Sequence, residues 1–481
     1  MIAVERNALK ALHTQIYDAF RAAIVEGRLR SGQRIPSTRV LASEIKVSRF
    51  PVLNAYAQLL AEGYIQSRVG AGTVVSGSIP DQLTSSTLNG ATHAPPRSGL
   101  QPAASRASIL PPIEVPPWMR CWGAFRVGQV AVDQFPLQVW AKLVARRCRQ
   151  MDTLSAHYGD LMGSKVLREA IANYLKTARS VRCEAEQVMI VNGSQQALEI
   201  SARVLLEPGS RVWIEEPCYR LARDVFTLNG CHLIPVPVDT EGLDVTVGIK
   251  KSRSARAAFV TPSHQFPLGV TMSASRRLQL LDWAQKSRAW IIEDDYDSEY
   301  RYESLPIASL QGLDANSRVI YVGTFSKVLF PSLRLGYIVI PSDLLVRFRT
   351  IRRVMDLGPP TLYQEVLADF IAQGHFARHI RRMRILYGEY RRVLVDCLAN
   401  DLGNLVEPVG DEAGMHLAVT LPTGYRDVEI ARRAARQNLS LWPLSPSYLG
   451  KPSRHGFILG FGGITTDEIP DAVRKLRAAA Q

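Results

Sequence analysis

A proline-rich stretch at residues 77–117 constrains the fold more than any other feature of the chain. It contains eight prolines among many Ser, Ala and Gly residues. Proline fixes φ and has no amide to donate, so such a stretch is an extended, semi-rigid linker rather than a helix or a central strand. The sequence therefore predicts a head of residues 1–76 and a body of residues 118–481, joined by this linker.

The composition argues against a membrane protein, a secreted protein and a small protein held together by disulfides or a metal. Hydrophobic residues make up 46% of the 481 residues, as in ordinary globular proteins. No apolar run has the length of a membrane span, and the first residues lack the apolar core of a signal peptide. The six cysteines show no CxxC spacing, which predicts neither a disulfide framework nor a metal site. We therefore expect a cytoplasmic protein.

The charge of the chain favours a polyanionic partner. The net charge is +14, and residues 1–76 carry ten Lys and Arg against five Asp and Glu. The linker is balanced, so the body is basic as well. Charge alone therefore does not identify the part that would bind DNA.

The head shows the pattern of three short helices followed by a hairpin. Apolar residues recur every fourth position from Leu12 to Ile24, which predicts an amphipathic helix ending near Gly27. Ser37 is a candidate N-cap for a second helix, with an apolar stripe of Val40, Leu41 and Ile45. Ser48 is the candidate N-cap of a third helix from Arg49 to about Glu62, with Pro51 in its first turn.

Two helices joined by so short a turn indicate a helix-turn-helix, and RVGAGTVV behind them indicates a two-stranded wing. In such units the second helix enters the major groove N-terminus first. Ser48 and Arg49 would then lie nearest the DNA, Arg39 would face the backbone, and Arg68 could reach the minor groove. The alternative is a small helical domain with an ordinary basic face.

The head resembles the GntR family of bacterial regulators almost from end to end. The resemblance rests on GRLRSGQRIPS, LASEIKVSR, AYAQLLAEG and GAGT, which follow the order of the family motifs. It implies DNA contacts by Arg39, Arg49 and the wing residue Gly70. One departure is Phe50-Pro51, which replaces the usual polar-Thr pair and could change base preference.

The body alternates short strands rich in Val and Ile with helical stretches. This alternation predicts a mostly parallel sheet covered by helices, with ligands bound outside the carboxyl ends of the strands. From about Leu405 onward the chain has the pattern of a smaller α/β lobe. The strands predicted from the sequence are Val188–Val191, Arg211–Ile214, Ala257–Val260, Trp290–Ile292 and Val319–Val322.

Lys327 and Arg334 lie in the segment VIYVGTFSKVLFPSLRLGY, directly after a strand. Taken alone they would be an ordinary loop lysine and a surface arginine. In context the segment resembles the lysine segment of fold-type I aminotransferases, which bind pyridoxal 5'-phosphate (PLP). The resemblance implies that Lys327 forms the Schiff base with PLP and that Arg334 grips the phosphate.

Acidic residues follow the strand that begins at Trp290, in the order EDDYDSE. Asp294 precedes Lys327 by 33 residues, which is similar to the family spacing of the aspartate that pairs with the ring nitrogen. The resemblance implies this role for Asp294 and a bond from Tyr296 to the ring hydroxyl. The alternative is an acidic turn on the surface.

The segment VMIVNGSQQAL reads as a strand, a tight turn and a helix start. Ser194 and the amides of Gln195 and Gln196 would lie at the helix N-terminus, where partial positive charge attracts phosphate. The sequence of this segment is similar to the corresponding motif of fold-type I aminotransferases. By the same resemblance Tyr219 stacks on the ring, although it could also be a packed core tyrosine.

The loop TPSHQFPLG resembles the N-P-x-N-P-T-G loop of aminotransferases, but the asparagine that bonds the ring hydroxyl has no match. His264 or Gln265 could substitute, and His264 could equally be a satisfied loop histidine. The segment around Tyr158 resembles the one that shapes the substrate side, with Tyr158 as the expected contributor.

A GntR head on such a body is similar to the MocR/GabR subfamily. This resemblance implies a head-to-tail homodimer with PLP as cofactor. The partners would be a DNA operator of two half-sites and, besides PLP, a small amino compound.

The body departs from aminotransferases where these clamp the substrate carboxylate with an arginine. The segment here is FILGFGG, and Ile458 takes the arginine's place. Gly128-Gln129-Val130 is a second change on the substrate side. We therefore expect weak carboxylate affinity and poor transamination, unless Arg220 compensates.

Three functions compete on this sequence. The first is a transcriptional regulator that senses PLP or an amino compound, and the departure at Ile458 favours it. The second is an active aminotransferase with an accessory DNA-binding head. The third is a dimerisation body without PLP, against which Lys327, Asp294 and Arg334 argue.

Overall fold

The computed structural model describes residues 4–5, 10–68, 72–77, 109–111, 114–151, 157–302, 307–403, 405–410 and 412–481. The chain forms two compact units, Met1–Pro102 and Ala103–Gln481. Among the described residues, no helix combines the length and apolar character needed to cross a membrane.

The described residues of the first unit form three helices and a two-stranded wing, as the sequence predicts. Its helices bury one apolar cluster that includes Ile16, Phe20 and Leu59. The two strands pair antiparallel, with Ile65 opposite Val75. The elements are α1 Leu12–Val25, α2 Thr38–Glu44, α3 Arg49–Ala61, β1 Ile65–Arg68 and β2 Gly72–Val75.

Two details of the head differ from expectation. The Ser37 hydroxyl caps α2 by accepting the Val40 amide at 3.3 Å, but Ser48 occupies the N-cap position of α3 without such a bond. Val40 is exposed while Leu41 is buried. Leu41 and the next residue, Ala42, both enter the buried cluster, so Val40, about 100° from Leu41 around the helix, lies on the other side.

The second unit is built on an eight-stranded sheet. Its order is β3-β10-β9-β8-β7-β4-β5-β6, and β4, β5, β7, β8 and β9 run parallel. The five predicted strands are confirmed, and three of them extend two or three residues further. The bounds are β3 Val188–Val191, β4 Arg211–Glu216, β5 His232–Asp239, β6 Gly242–Leu243, β7 Ala257–Val260, β8 Trp290–Asp295, β9 Val319–Thr324 and β10 Gly336–Val339.

Helices cover both faces of this sheet. Successive residues of one strand enter different buried clusters, as Met189 and Ile190 of β3 do. Strands buried on both faces are typical of α/β proteins. The short helix α4 Pro117–Arg120 precedes them and packs with the smaller lobe through Trp118. The helices that follow are α5 Leu137–Arg149, α6 Lys165–Ala178, α7 Ser194–Leu205, α8 Arg220–Leu228, α9 Val245–Ser252, α10 Ala274–Ser287, α11 Leu310–Leu313, α12 Leu345–Asp356 and α13 Leu362–Ala372.

The smaller lobe predicted from about Leu405 is present. Its four strands are all antiparallel, in the order β11-β12-β14-β13, and they pack with helices around one cluster. The elements are α14 His375–Leu402, β11 Glu407–Val409, β12 His416–Thr420, α15 Asp427–Ala435, β13 Trp442–Pro443, β14 Gly456–Gly460 and α16 Ile469–Ala480.

Candidate cofactor site and DNA interface

The candidate cofactor residues follow the carboxyl ends of strands that point the same way. Asp294 is the last residue but one of β8, and Lys327 follows β9 by three residues. Ser194 follows β3, Tyr219 follows β4, and His264 follows β7. Both β3 and β9 are antiparallel to β10, so β3 shares the direction of the parallel strands. One edge of the sheet therefore collects all five segments.

Lys327 places its amine close to the protein backbone. The side chain is half-buried, and Nζ donates a long hydrogen bond of 3.3 Å to the carbonyl of Gly128. Desolvation lowers the pKa of Lys327, while the charges of Asp297 and Asp294 oppose that shift. A lowered pKa increases the fraction of neutral amine, which is the nucleophilic form.

Gly128 makes room for this amine. Its φ of 79° lies in the region that favours glycine, and a Cβ at this position would stand 2.4 Å from Lys327 Nζ. The sequence singled out Gly128-Gln129-Val130 only as a departure from the family. The contact between Gly128 and Lys327 joins residues 199 positions apart, so no local signal could reveal it.

Asp294 is a buried carboxyl with an unused oxygen. It is 4% exposed, and Oδ1 has no hydrogen-bond partner among the described residues. Burial first, then the charges of Asp295, Asp297 and Glu215, raise its pKa to about 7, and Lys327 lowers it. A cationic ring N–H placed at Oδ1 would both satisfy the oxygen and favour its charged form. This orphaned acceptor fits the pyridinium of PLP.

The next residue, Asp295, is already paired through Oδ2, although its Oδ1 also has no partner among the described residues. It accepts 2.8 Å bonds from Arg179 Nε and Ser298 Oγ, and it also accepts the Tyr321 hydroxyl. Arg179 holds the pKa of this carboxyl below its ordinary value against burial. Since neighbouring residues of a strand point to opposite faces, only one of the two aspartates faces the site.

Tyr296 and His264 contact each other, and His264 also contacts Asp297. The Tyr296 hydroxyl donates to the His264 carbonyl at 2.9 Å, and His264 Nδ1 lies 3.0 Å from a carboxyl oxygen of Asp297. His264 Nε2 is buried and unpartnered within the described chain. The ring of His416, from β12, lies 4.5 Å from that of His264, and burial keeps the pKa of His416 well below its ordinary value.

The contacts within the loop 261–269 show which of His264 and Gln265 is able to take the place of the missing asparagine. The Gln265 amide group is fully occupied, because its nitrogen donates to Glu215, to the Pro217 carbonyl and to its neighbour's carbonyl. Its oxygen accepts the amide of Leu268 at 2.9 Å. Of the two, only His264 keeps a polar atom free for a ligand, and neither sequence nor spacing could separate them.

A helix start beside Arg334 forms the candidate phosphate cradle. Gly193, with φ of 90°, turns the chain into α7, whose first residues are Ser194, Gln195 and Gln196. Arg334 donates from Nη2 to the Asn192 carbonyl at 2.9 Å. A Cβ on Gly193 would lie 3.5 Å from its guanidinium. Free amides and a cation at one helix N-terminus suit a phosphate.

The two glutamines of this turn differ in side-chain direction. Gln196 is turned into the protein, where its oxygen accepts from the Asn192 amide and from Arg352 and its nitrogen donates to Asp356. Only its backbone amide is available to the cradle, as expected. Gln195 instead lies 3.4 Å from the hydroxyl of Tyr219.

Tyr219 is half-buried and packs edge-on against Phe266, with ring centroids 5.5 Å apart. Burial and the charge of Asp294 raise the pKa of Tyr219 to about 12. The tyrosine is therefore near Asp294, as its expected role beside the ring requires.

Ile458 belongs to an apolar cluster next to this edge. It is 1% exposed and is buried with Leu268, Leu444 and Tyr448, while Phe266 and Val127 pack against the group. The apolar side chain of Ile458 thus stands at the sequence position where aminotransferases have the arginine that binds the substrate carboxylate. Arg220 and Tyr158 are both exposed, and Tyr158 retains 85% of its surface.

The DNA-contact candidates of the head lie on α2 and α3. Arg39, Ser48 and Arg49 are exposed, and Arg49 Nε donates to Thr38 Oγ1 at 3.1 Å. The structure describes the backbone of Arg68 but not its side chain, and Gly70 lies outside the described residues.

Family models match both units. Residues 12–75 match the bacterial regulatory proteins of the gntR family, and residues 124–454 match aminotransferase class I and II. The chain is 39% identical to the probable rhizopine catabolism regulatory protein MocR of Rhizobium meliloti over 481 residues, covering 100% of this chain and 96% of that protein. It is 30% identical to the pyridoxine biosynthesis transcriptional regulator PdxR of Corynebacterium glutamicum, covering 98% of each.

Among solved structures, the α-aminoadipate aminotransferase LysN of Thermus thermophilus, complexed with N-(5'-phosphopyridoxyl)-L-leucine, superposes with a TM-score of 0.72. It is 27% identical and covers 79% of this chain and 97% of that one. The fold of the body is therefore that of PLP-dependent aminotransferases.

Proposed function

The chain belongs to the MocR-like transcriptional regulators of the gntR family, and from this premise we propose that PLP held at Lys327 controls how its head binds DNA. The observation that carries the proposal is the proximity of Lys327 to Asp294, whose charge acts on the lysine and whose buried Oδ1 has no partner in the described chain. Such an acceptor costs free energy unless a ligand donates to it.

The residues present divide the binding of PLP among themselves. Lys327 supplies the amine that reacts with the aldehyde, and Asp294 accepts from the ring nitrogen. Tyr296 and His264 bind the ring hydroxyl side, and Tyr219 covers the ring. The phosphate is held by Ser194, by the amides of Gln195 and Gln196, and by Arg334. When bound, PLP supplies an electrophilic carbon that captures primary amines.

The signal is PLP itself or an amino compound that reacts with it. Relatives named for rhizopine catabolism and for pyridoxine biosynthesis support these two classes of signal. The apolar cluster around Ile458 disfavours a ligand that depends on a buried carboxylate clamp. A ligand alters transcription only if it binds two arrangements of the regulator with different affinity. We propose that these arrangements belong to a head-to-tail homodimer on a two-half-site operator.

On the DNA side, Arg39 and Arg49 contact phosphates and bases from α2 and α3, and Ser48 lies at the groove. Arg68 and Gly70 belong to the proposed wing contact. The binding is expected to weaken steeply with salt, because neutralised phosphates release counterions.

The test records the absorbance of the full-length protein titrated with PLP, together with its affinity for DNA fragments that the protein selects from a random pool. Because free PLP is itself yellow, unbound PLP is removed by gel filtration before the final spectrum is recorded. Wild type should then remain yellow, and its DNA affinity should depend on PLP. Lys327→Ala should do neither, whereas Lys286→Ala, at an exposed lysine paired with Asp282, should match wild type. A wild type that is colourless after this removal contradicts the cofactor assignment.

The second candidate function is an active aminotransferase with an accessory head, which the fold of the body favours. Rapid loss of the yellow colour on adding amino acids, with repeated turnover when an oxo acid is supplied, would support it. Ile458 predicts that this turnover is slow, because an apolar side chain packed among apolar neighbours stands where the arginine of the carboxylate clamp is expected.

A further inference from the structure

The outer surface of α3 carries a large apolar side chain that nothing in the described head covers. Val52, Ala55, Tyr56 and Leu59 form the buried side of this helix. Phe50 is 69% exposed, and Leu53, one turn further on, is 42% exposed. Phe50 and Leu53 are three residues apart and therefore share one face.

The position of Phe50 within α3 limits what this face can meet. It is the second residue of the helix, between Arg49 and Pro51. Pro51 belongs to the first turn, where the missing amide costs no helical bond. The N-terminal residues of the second helix of a helix-turn-helix are those that reach base edges in the major groove.

The surroundings of Phe50 favour a polyanion rather than a protein partner. Arg49 adjoins it in sequence, and the Arg49–Thr38 hydrogen bond fixes this cation between α2 and α3. Arg39 is exposed on α2. Cations beside an apolar side chain match a groove that offers phosphates at its rim and thymine methyl groups on its floor.

We propose that Phe50 is a specificity-determining residue that contacts the C5-methyl group of thymine in each operator half-site. The proposal rests on the proposed function, since it requires that the head binds DNA. Arg49 and Arg39 supply affinity that is independent of sequence, and Phe50 selects thymine over bases without that methyl. Leu53 extends the same apolar surface along the groove.

The experiment replaces single thymines of the selected DNA by deoxyuridine, which removes only the methyl group. One position in each half-site should weaken binding to the wild-type protein by about 3- to 5-fold, the effect of burying one methyl. Phe50→Asn should bind thymine and deoxyuridine DNA equally at that position. Its dependence on salt should equal that of wild type, because no phosphate contact is lost.

Leu60→Asn is the matched control. Leu60 lies on the same helix and is 40% exposed, but it is near the C-terminal end of α3, away from the bases. This variant should keep the full deoxyuridine effect. If wild type tolerates deoxyuridine at every position, or if Phe50→Asn keeps the effect, the proposal is wrong.

The same experiment separates failure of this proposal from failure of the proposed function. If the protein enriches no sequence from the pool, the head is not a sequence-specific DNA reader and the regulator itself is in doubt. If a sequence is enriched and PLP alters the affinity, but no methyl matters, only the role of Phe50 is refuted.

Discussion

The head and the body present their proposed binding groups in opposite ways. In the head, Arg39, Ser48 and Arg49 are exposed and take no part in the buried cluster. In the body, Asp294 is buried and the pKa values of Asp294 and Lys327 are shifted by their surroundings. A substitution of one of these exposed head residues should therefore change DNA binding without changing the free energy of unfolding. A substitution at the edge of the large sheet should change both ligand binding and the free energy of unfolding.

The largest effect is expected from Arg179→Met. Arg179 is buried and donates to Asp295 at 2.8 Å, so its loss leaves a buried carboxylate without its cation. Breaking a buried pair from one side costs about 3–5 kcal/mol. Urea unfolding of the cofactor-free protein should show this loss.

The control is Arg203→Met, which breaks an exposed pair with Glu199 on α7. It should change the free energy of unfolding by less than about 0.5 kcal/mol. Equal effects of the two variants would show that the buried network beneath the site does not stabilise the body.

The pH dependence of stability should change in Asp294→Asn. Because the pKa of Asp294 is raised to about 7, the folded protein keeps a proton that the unfolded chain releases near pH 4. The free energy of unfolding should therefore fall between about pH 4 and pH 7, by at most about 1.4 kcal/mol per pH unit for this group. The variant should show a shallower fall.

Glu215, Glu293 and Glu299 have pKa values raised in the same direction, so the difference between the two proteins, rather than the wild-type slope, isolates Asp294. Urea unfolding at several pH values measures it. Identical slopes would mean that Asp294 ionises normally in the folded protein.

Gly128→Ala should weaken PLP binding. The added Cβ would stand 2.4 Å from Lys327 Nζ, and overpacking of this kind costs about 1–3 kcal/mol. We expect the absorbance titration to shift to about 5- to 150-fold higher PLP.

Gly209→Ala is the matched variant, since Gly209 also has a positive φ but a Cβ there meets nothing within 4 Å. It should lose a similar amount of backbone stability while binding PLP normally. If both variants bind PLP alike, the contact with the lysine is unimportant.

The smallest effect on stability is expected from Arg49→Ala, because this side chain is exposed. Stability should stay within about 0.5 kcal/mol of wild type. The slope of log affinity for DNA against log salt should fall by about 0.9 for one lost phosphate contact. Arg28→Ala, at an exposed arginine paired with Glu26, should leave that slope unchanged.

The sequence was most informative where local pattern and chemistry coincide. Short runs of Val and Ile predicted the strands, and the motifs around Lys327 and Asp294 placed both residues at the strand ends where they are found. Family and fold could be predicted from these features, because periodicity and motif order are local properties of a chain.

Contacts between distant segments could not be predicted. Nothing in the sequence indicates that Gly128 lies under the amine of Lys327 or that His416 lies against His264. The exposure of Val40 was missed as well. In a helix as short as α2, the apolar pattern alone does not decide whether Val40 or its neighbour Leu41 faces the buried cluster.

The reversed strand β10 has a consequence for ligand affinity. Since β10 starts at the edge where its neighbours end, the loop 325–335 that joins β9 to β10 lies at that edge and carries both Lys327 and Arg334. This one loop, with Lys327 and Arg334 seven positions apart, thus holds both ends of the proposed ligand, as the two donor atoms of a chelating agent hold one metal. Attachment at either end raises the effective concentration at the other. Lengthening this loop by a single residue should therefore prevent Lys327 and Arg334 from binding the two ends of one ligand together, while both side chains stay chemically unchanged.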